Sequence, residues 1–115
     1  MRYLIMIYGK EGDWNSVTPE RAGEIMGAYN AYTAKLKAAG VHIAGDELRP
    51  VADAKSIRGA NGANVVDGPF VDTKEQLGGY YMIEAPNDAE ALKWAKQCPA
   101  TMHGGGMEVR AVMVR

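Results

Sequence analysis

The chain has 115 residues, with 13 Lys and Arg against 14 Asp and Glu for a formal charge of -1. That length suits one compact domain, 1–115, whose core is modest enough to make self-association as a homodimer expected. The balanced charge offers no field for nucleic-acid phosphates or anionic lipid, so neither is expected as a partner. Cys98 alone cannot close an intramolecular disulfide. The apolar run in "MRYLIMIYGKEGDW" is too short for a signal peptide or a membrane span; together these point to the cytoplasm.

Arg2 to Tyr8 reads as a first strand that stops at "GKEGD", where two glycines and mixed charges predict a mobile loop. Thr18-Pro19-Glu20 supplies an N-cap, a first-turn proline and an acid, so a helix starts there and ends at Gly40. Its apolar face is Ala22, Ile25, Met26, Tyr29, Thr33 and Leu36. The next strand, "VHIAGDEL", puts Val41 and Ile43 on one side and His42, Ala44 and Asp46 on the other. "AKSIRGANGANVV" predicts a small hairpin turning near Asn61-Gly62. "LGGYYMIEA" is a stronger strand, and Asn87-Asp88-Ala89-Glu90 has the form of a capping box opening a second helix. Ala91, Leu92, Trp94 and Ala95 are its apolar positions before Pro99; "TMHGGGM" reads as a loop and "MEVRAVMVR" as the last strand.

This order, with two helices crossing one face of a four-stranded antiparallel sheet, predicts an α+β fold: the ferredoxin-like split β-α-β arrangement with an inserted hairpin. Two helices can cover only one sheet face. Yet the first strand alternates Tyr3, Ile5, Ile7 with Leu4, Met6, Tyr8, apolar on both sides. The second face therefore calls for a twofold-related copy.

The segments "YLIMIYG", "AAGVHIAGDEL", "VVDGPFVDTKEQLGGYYMIE", "EALKWAKQCP" and "MEVRAV" cover nearly the whole chain in their resemblance to YCII-related proteins of the DGPF type, members of the dimeric α/β-barrel superfamily. The resemblance implies a homodimer in which two sheets form a shared barrel with clefts beside it, and it implies no particular reaction. Some YCII-related proteins outside the DGPF type carry a histidine in the first helix and an aspartate just before the proline after the second helix, proposed as a catalytic pair. The matching positions here hold Tyr29 and Cys98, so that pair is missing. Tyr29 retains the capacity to line the cleft as a donor or acceptor. Asp46 resembles an acid at the end of the second strand in DGPF-type relatives, where a cleft edge is expected.

The candidate catalytic groups are Asp67, His42 and Asp46. Asp67 has a structural reading as well, in which its carboxylate bonds backbone amides of its own turn and Phe70 packs beneath. His42 is either a proton-exchanging imidazole or a hydrogen-bonded structural one. Arg110, Arg58 and Lys74 are the cations for anchoring an acidic ligand, each with a local ion pair as the plainer role. Convergence of at least two of His42, Asp46, Asp67 and Arg110 on one cavity, with Tyr29 as a wall, is the pattern a site would show.

No metal is expected, because His42, His103 and Cys98 lack ligand spacing and His103 lies in a glycine-rich loop. No cofactor is expected either: phosphate-loop, dinucleotide and acyl-transfer motifs are missing. Cys98 reads as a buried helix-end thiol. Three classes of function stay open: an enzyme acting on a small polar or acidic molecule by acid/base chemistry, a small-molecule binding or sensory module, and an assembly domain.

Overall fold

A computed structural model describes all 115 residues. The strands are β1 (Arg2–Gly9), β2 (His42–Glu47), β3 (Lys55–Arg58), β4 (Asn64–Asp67), β5 (Gln76–Glu84) and β6 (Gly106–Ala111). The helices are α1 (Glu11–Asn15), α2 (Pro19–Ala38) and α3 (Asp88–Ala95), with a 3-10 turn at Pro99–His103. The main sheet has the order β2-β5-β1-β6, and its three pairings are all antiparallel. β3 and β4 form a separate two-stranded sheet. The ferredoxin-like arrangement with an inserted hairpin is therefore present.

The helix starts follow from their capping residues. The Thr18 side chain accepts a hydrogen bond from the Arg21 amide at 3.2 Å, and Pro19 occupies the first helical position. Asn87 accepts from the Glu90 amide at 2.9 Å, whereas the Glu90 carboxylate turns to Lys93 at 3.1 Å. The expected box is thus only half made. The segment read as a mobile loop after β1 is α1, held by a backbone bond from Asp13 to the Lys10 carbonyl.

Alternation along β1 assigns the faces. Tyr3, Ile5 and Ile7 join Tyr81 and Ile83 of β5 in a core that α2 closes with Tyr32 and Leu36 and α3 with Ala91 and Ala95. Tyr32, absent from the expected helix face, belongs to this core: its hydroxyl donates to the Trp94 carbonyl at 2.8 Å, and its ring meets Tyr81 edge-on. Met26 and Leu92, expected inside, are exposed. On the opposite sheet face Leu4, Met6 and Met82 are half-buried.

β2 departs from regular alternation. His42 opposes Ile83, but Ala44 opposes Met82, so Ile43 is an extra residue in the ladder. A bulge of this kind reverses the side-chain alternation beyond it. His42 consequently lies on the helix-covered side, and Asp46, opposite Tyr80, on the open side. The two residues do not share a face, contrary to the unbroken-strand reading.

In the hairpin, Asn61 and Gly62 take φ of 59° and 67°, the positive-φ turn expected of that dipeptide. Asp67 pairs with Lys55 across the ladder, so the reading in which it bonds its own turn's amides is not what forms. The turn is instead fixed by Gly68, at φ 111°, whose amide donates to the Ala54 carbonyl at 2.8 Å and whose carbonyl accepts from Ser56 at 2.7 Å. Phe70 is 58% exposed under the Arg58 guanidinium, 3.8 Å from its ring centre, and does not pack beneath the turn. Because the Asp67–Lys55 pair is solvent-exposed, Asp67→Ala is expected to cost about 0–1 kcal/mol. Denaturant unfolding checks this, and a loss near 2 kcal/mol would restore the turn-forming role.

Candidate functional site

The cleft lies where the Gly9 end of β1, the Glu47 end of β2 and the Gln76 end of β5 meet α1, α2 and the Pro99–His103 turn. Its volume is about 420 Å³, within the range of small-molecule sites.

His103 is the side chain that the sequence placed in a glycine-rich loop, and the structure seats it in a 3-10 turn. Gly104, at φ 79°, ends the 3-10 turn, and Gly105 lies flat against β1. A Cβ at Gly105 would stand 2.5 Å from the Tyr8 carbonyl oxygen and 3.0 Å from that of Ala100. Only glycine permits this approach. Arg21 of α2 adds a hydrogen bond to the Met102 carbonyl at 3.3 Å.

His103 Nε2 is 2.8 Å from the Tyr29 hydroxyl. The two rings stack at 5.9 Å, and Trp14 of α1 meets the imidazole edge-on at 5.6 Å. Burial raises the Tyr29 phenol pKa, with the ionisable Cys98, Tyr81 and Glu47 adding to the effect. Burial also lowers the His103 imidazole from its ordinary value. Both groups are therefore neutral at pH 7. The chemical assignment is a phenol that donates to Nε2 and leaves the ring proton on Nδ1. In this state the pair takes up a further proton by relay, the phenol proton passing to Nε2 as the phenol oxygen accepts one from a ligand.

The polar rim has identifiable supports. Asp46 accepts from the Tyr80 hydroxyl at 2.9 Å, which raises the Tyr80 pKa. Glu11 accepts from the Val51 amide at 2.8 Å and ties α1 to the chain after β2. Thr33 and Tyr81 share a hydroxyl hydrogen bond of 2.8 Å on the inner wall.

Of the residues singled out in the sequence, Asp46 and Tyr29 line this cleft. The others do not. His42 sits beside Tyr81, ring centres 6.3 Å apart, and is not among the lining residues. Asp67 and Arg58 are on the hairpin, Lys74 is in the exposed connection to β5, and Arg110 pairs with Glu108 at 2.6 Å on β6, the far edge of the sheet. The expected convergence of His42, Asp46, Asp67 and Arg110 thus reduces, within the chain, to Asp46. The sequence reading missed His103, Trp14 and Glu47. The available signal was the Gly104-Gly105-Gly106 run, which marks close backbone approach as readily as mobility. No group of three or more His, Cys, Asp or Glu is arranged to hold a metal ion, and Cys98 is buried with its thiol pKa raised by burial. No helix is long and apolar enough to cross a membrane.

Fold and cleft together define a ferredoxin-like α+β protein with a small-molecule-sized pocket at one end of its sheet. The model of the YCII-related domain matches residues 1–114, and the chain belongs to that family. An uncharacterised protein of Rhizobium meliloti (strain 1021) is 33% identical over 112 residues, 96% of this chain and 90% of that protein. Among solved structures, the chain is similar to 5-chloro-2-hydroxyhydroquinone dehydrochlorinase (TftG) from Burkholderia phenoliruptrix AC1100, in complex with 2,5-dihydroxybenzoquinone. That match has 22% identity and a TM-score of 0.56, and it covers 98% of this chain and 94% of that one. The likeness is one of fold.

Proposed function

We propose that the cleft takes a small polar organic molecule and removes a proton from it by relay, the Tyr29 oxygen accepting the ligand proton as the phenol proton passes to His103 Nε2, so that His103 is the final base. The observation that carries this reading is the 2.8 Å Tyr29–His103 bond on the wall of a 420 Å³ cavity, between two groups that burial keeps neutral. Asp46 and Tyr80 supply a second polar anchor at the rim. The neighbour of similar fold, a dehydrochlorinase of a small hydroxylated ring, makes a ring compound of that size a reasonable first probe. The cleft's charged lining is Lys10 against Glu11, Asp46 and Glu47, which favours a neutral polar ligand over the acidic one expected from Arg110, Arg58 and Lys74.

The same proposal includes a homodimer joined through the open sheet face. Leu4, Met6 and Met82 there are half-buried in the single chain, and a self-complementary contact would remove them from water.

Hydroquinone and its hydroxylated relatives, titrated against Trp14 fluorescence and then followed by NMR in D2O, test the cleft reading. Saturable binding with deuterium appearing at a ligand carbon is the expected result. Binding without exchange would leave a binding module and remove the acid/base step; a flat titration across the series would remove the ligand class.

A further inference from the structure

The inner wall of the cleft carries a second pair of proton-bearing groups beside Tyr29 and His103. Thr33 follows Tyr29 by four residues on α2, so the two side chains stand on one helix face a turn apart, with about 5–6 Å between Cβ atoms. The Thr33 hydroxyl and the Tyr81 phenol of β5 lie 2.8 Å from each other, and both residues line the cleft. Each hydroxyl carries one proton, and the bond between them uses only one of the two. Neither oxygen has another hydrogen-bond partner within the chain, so the pair holds an O–H proton with no acceptor. A bond that merely tied α2 to β5 would need one donor and one acceptor; the second proton is surplus to that role. Burial raises the Tyr81 phenol pKa, outweighing the opposite effect of its bond to Thr33, so this proton is in place at pH 7.

The Tyr81 ring is held on several sides. Tyr32 meets it edge-on at 5.2 Å and His42 at 6.3 Å. On the third side it lies against the β2 backbone, where a Cβ at Gly45 would stand 2.7 Å from Tyr81 Cδ1. A donor fixed in this way reorganises little when it meets an acceptor, which is the condition under which it stabilises developing negative charge most.

We infer that the Thr33–Tyr81 pair receives a carbonyl oxygen of the ligand and that the cleft acts on enolisable carbonyl compounds, an inference that rests on the proton-removal reading above. In such a compound the oxygen and the proton-bearing carbon are attached to the same carbonyl carbon. One can therefore meet the Thr33–Tyr81 pair while the other faces Tyr29 a helical turn away. The C–H bond beside the carbonyl breaks, and its proton goes to the Tyr29 oxygen as the phenol proton passes to His103 Nε2. The C–H electron pair becomes a carbon–carbon double bond, and the carbonyl π pair moves onto oxygen, where the surplus hydroxyl proton hydrogen-bonds it. Return of the proton to that oxygen, or to another carbon, completes a keto–enol isomerisation that needs no co-reactant. An oxygen that turns negative gains more from such a donor than an alcohol oxygen whose charge does not change, which selects carbonyl compounds over alcohols for turnover.

Cyclohexanone in D2O, followed by NMR, reads this step, and Trp14 fluorescence reads binding. The native protein is expected to speed deuterium entry at the carbons beside the carbonyl. Thr33→Val combined with Tyr81→Phe removes both hydroxyls while keeping the side-chain outlines. That variant should lose about 100- to 1,000-fold in exchange rate, the usual effect of deleting an oxyanion donor, with affinity changed far less. Either substitution alone leaves one donor and should cost less, and Thr33→Ser, which keeps the hydroxyl, should exchange at close to the native rate. A double variant that exchanges as fast as the native protein, or that loses binding as much as exchange, overturns the inference. If circular dichroism shows the double variant unfolded, the single variants decide, and native rates in both overturn it. Exchange of hydroquinone ring protons without exchange of cyclohexanone removes the carbonyl class and leaves the Tyr29–His103 relay standing. Native-rate cyclohexanone exchange in His103→Gln removes the relay and this inference with it.

Discussion

His103→Gln is expected to lower cleft-dependent proton exchange by about 100- to 10,000-fold, the usual contribution of a positioned acid or base. Glutamine keeps a donor and an acceptor near the Tyr29 hydroxyl, so binding of a hydroxylated ring should change much less than exchange. That split between binding and chemistry marks the imidazole as the proton carrier. The native pH profile gives an independent check. Burial lowers the His103 pKa below 6.5, so exchange should hold steady above that value and fall only at lower pH, as imidazolium forms. Stability follows the same sign. The unfolded chain takes up a proton on this residue near 6.5, while the folded dyad stays neutral to lower pH. The native state therefore loses stability as pH falls from 6.5 toward the lower folded value, and is unaffected by this group above it. A variant that exchanges ligand protons as fast as the native protein, or an acid limb above 6.5, would exclude His103 from the role.

Gly105→Ala is expected to damage the fold and the site together. The added methyl would lie 2.5 Å from the Tyr8 carbonyl oxygen and 3.0 Å from the Ala100 one. Both contacts are backbone atoms, so no side chain can swing aside. Crowding of this kind costs about 1–3 kcal/mol, read as a lower denaturant midpoint at unchanged slope. The strain is relieved most readily by lifting the turn off β1, which carries His103 away from Tyr29. Ligand affinity should drop even under conditions where the variant is fully folded. Gly106, around whose position no atom lies within 4 Å of an added Cβ, is the control: alanine there should leave affinity near native. Equal behaviour of the two variants would mean that close packing of Gly105 does not hold His103 in place.

Where the determinants were local, the sequence sufficed. Thr18-Pro19 and Asn87 begin helices because a side-chain oxygen answers an amide three residues on, a contact made within a single turn. The alternation of Tyr3, Ile5 and Ile7 sorts β1 into two faces because the side-chain period of an unbroken strand is two. The "DGPF" stretch and its flanks carried the family, since they specify that backbone beyond general composition. Even here locality had limits. Nothing before β2 announces that Ile43 is a bulge, yet that one residue sends His42 and Asp46 to opposite faces.

The site itself was decided by tertiary structure. Tyr29 and His103 are 74 residues apart, and their hydrogen bond exists because α2 crosses the sheet at the place where Gly105 lets the last loop settle onto β1. Asp67, the most conspicuous acid in the sequence, ends in an exposed pair with Lys55, while a histidine in a glycine-rich loop becomes the half-buried partner of Tyr29. The physical reason is the same in both cases. Residue type sets which chemistry a side chain can perform. Burial and partners, which set its protonation state and reach, come from segments distant in sequence that meet only when the chain has folded.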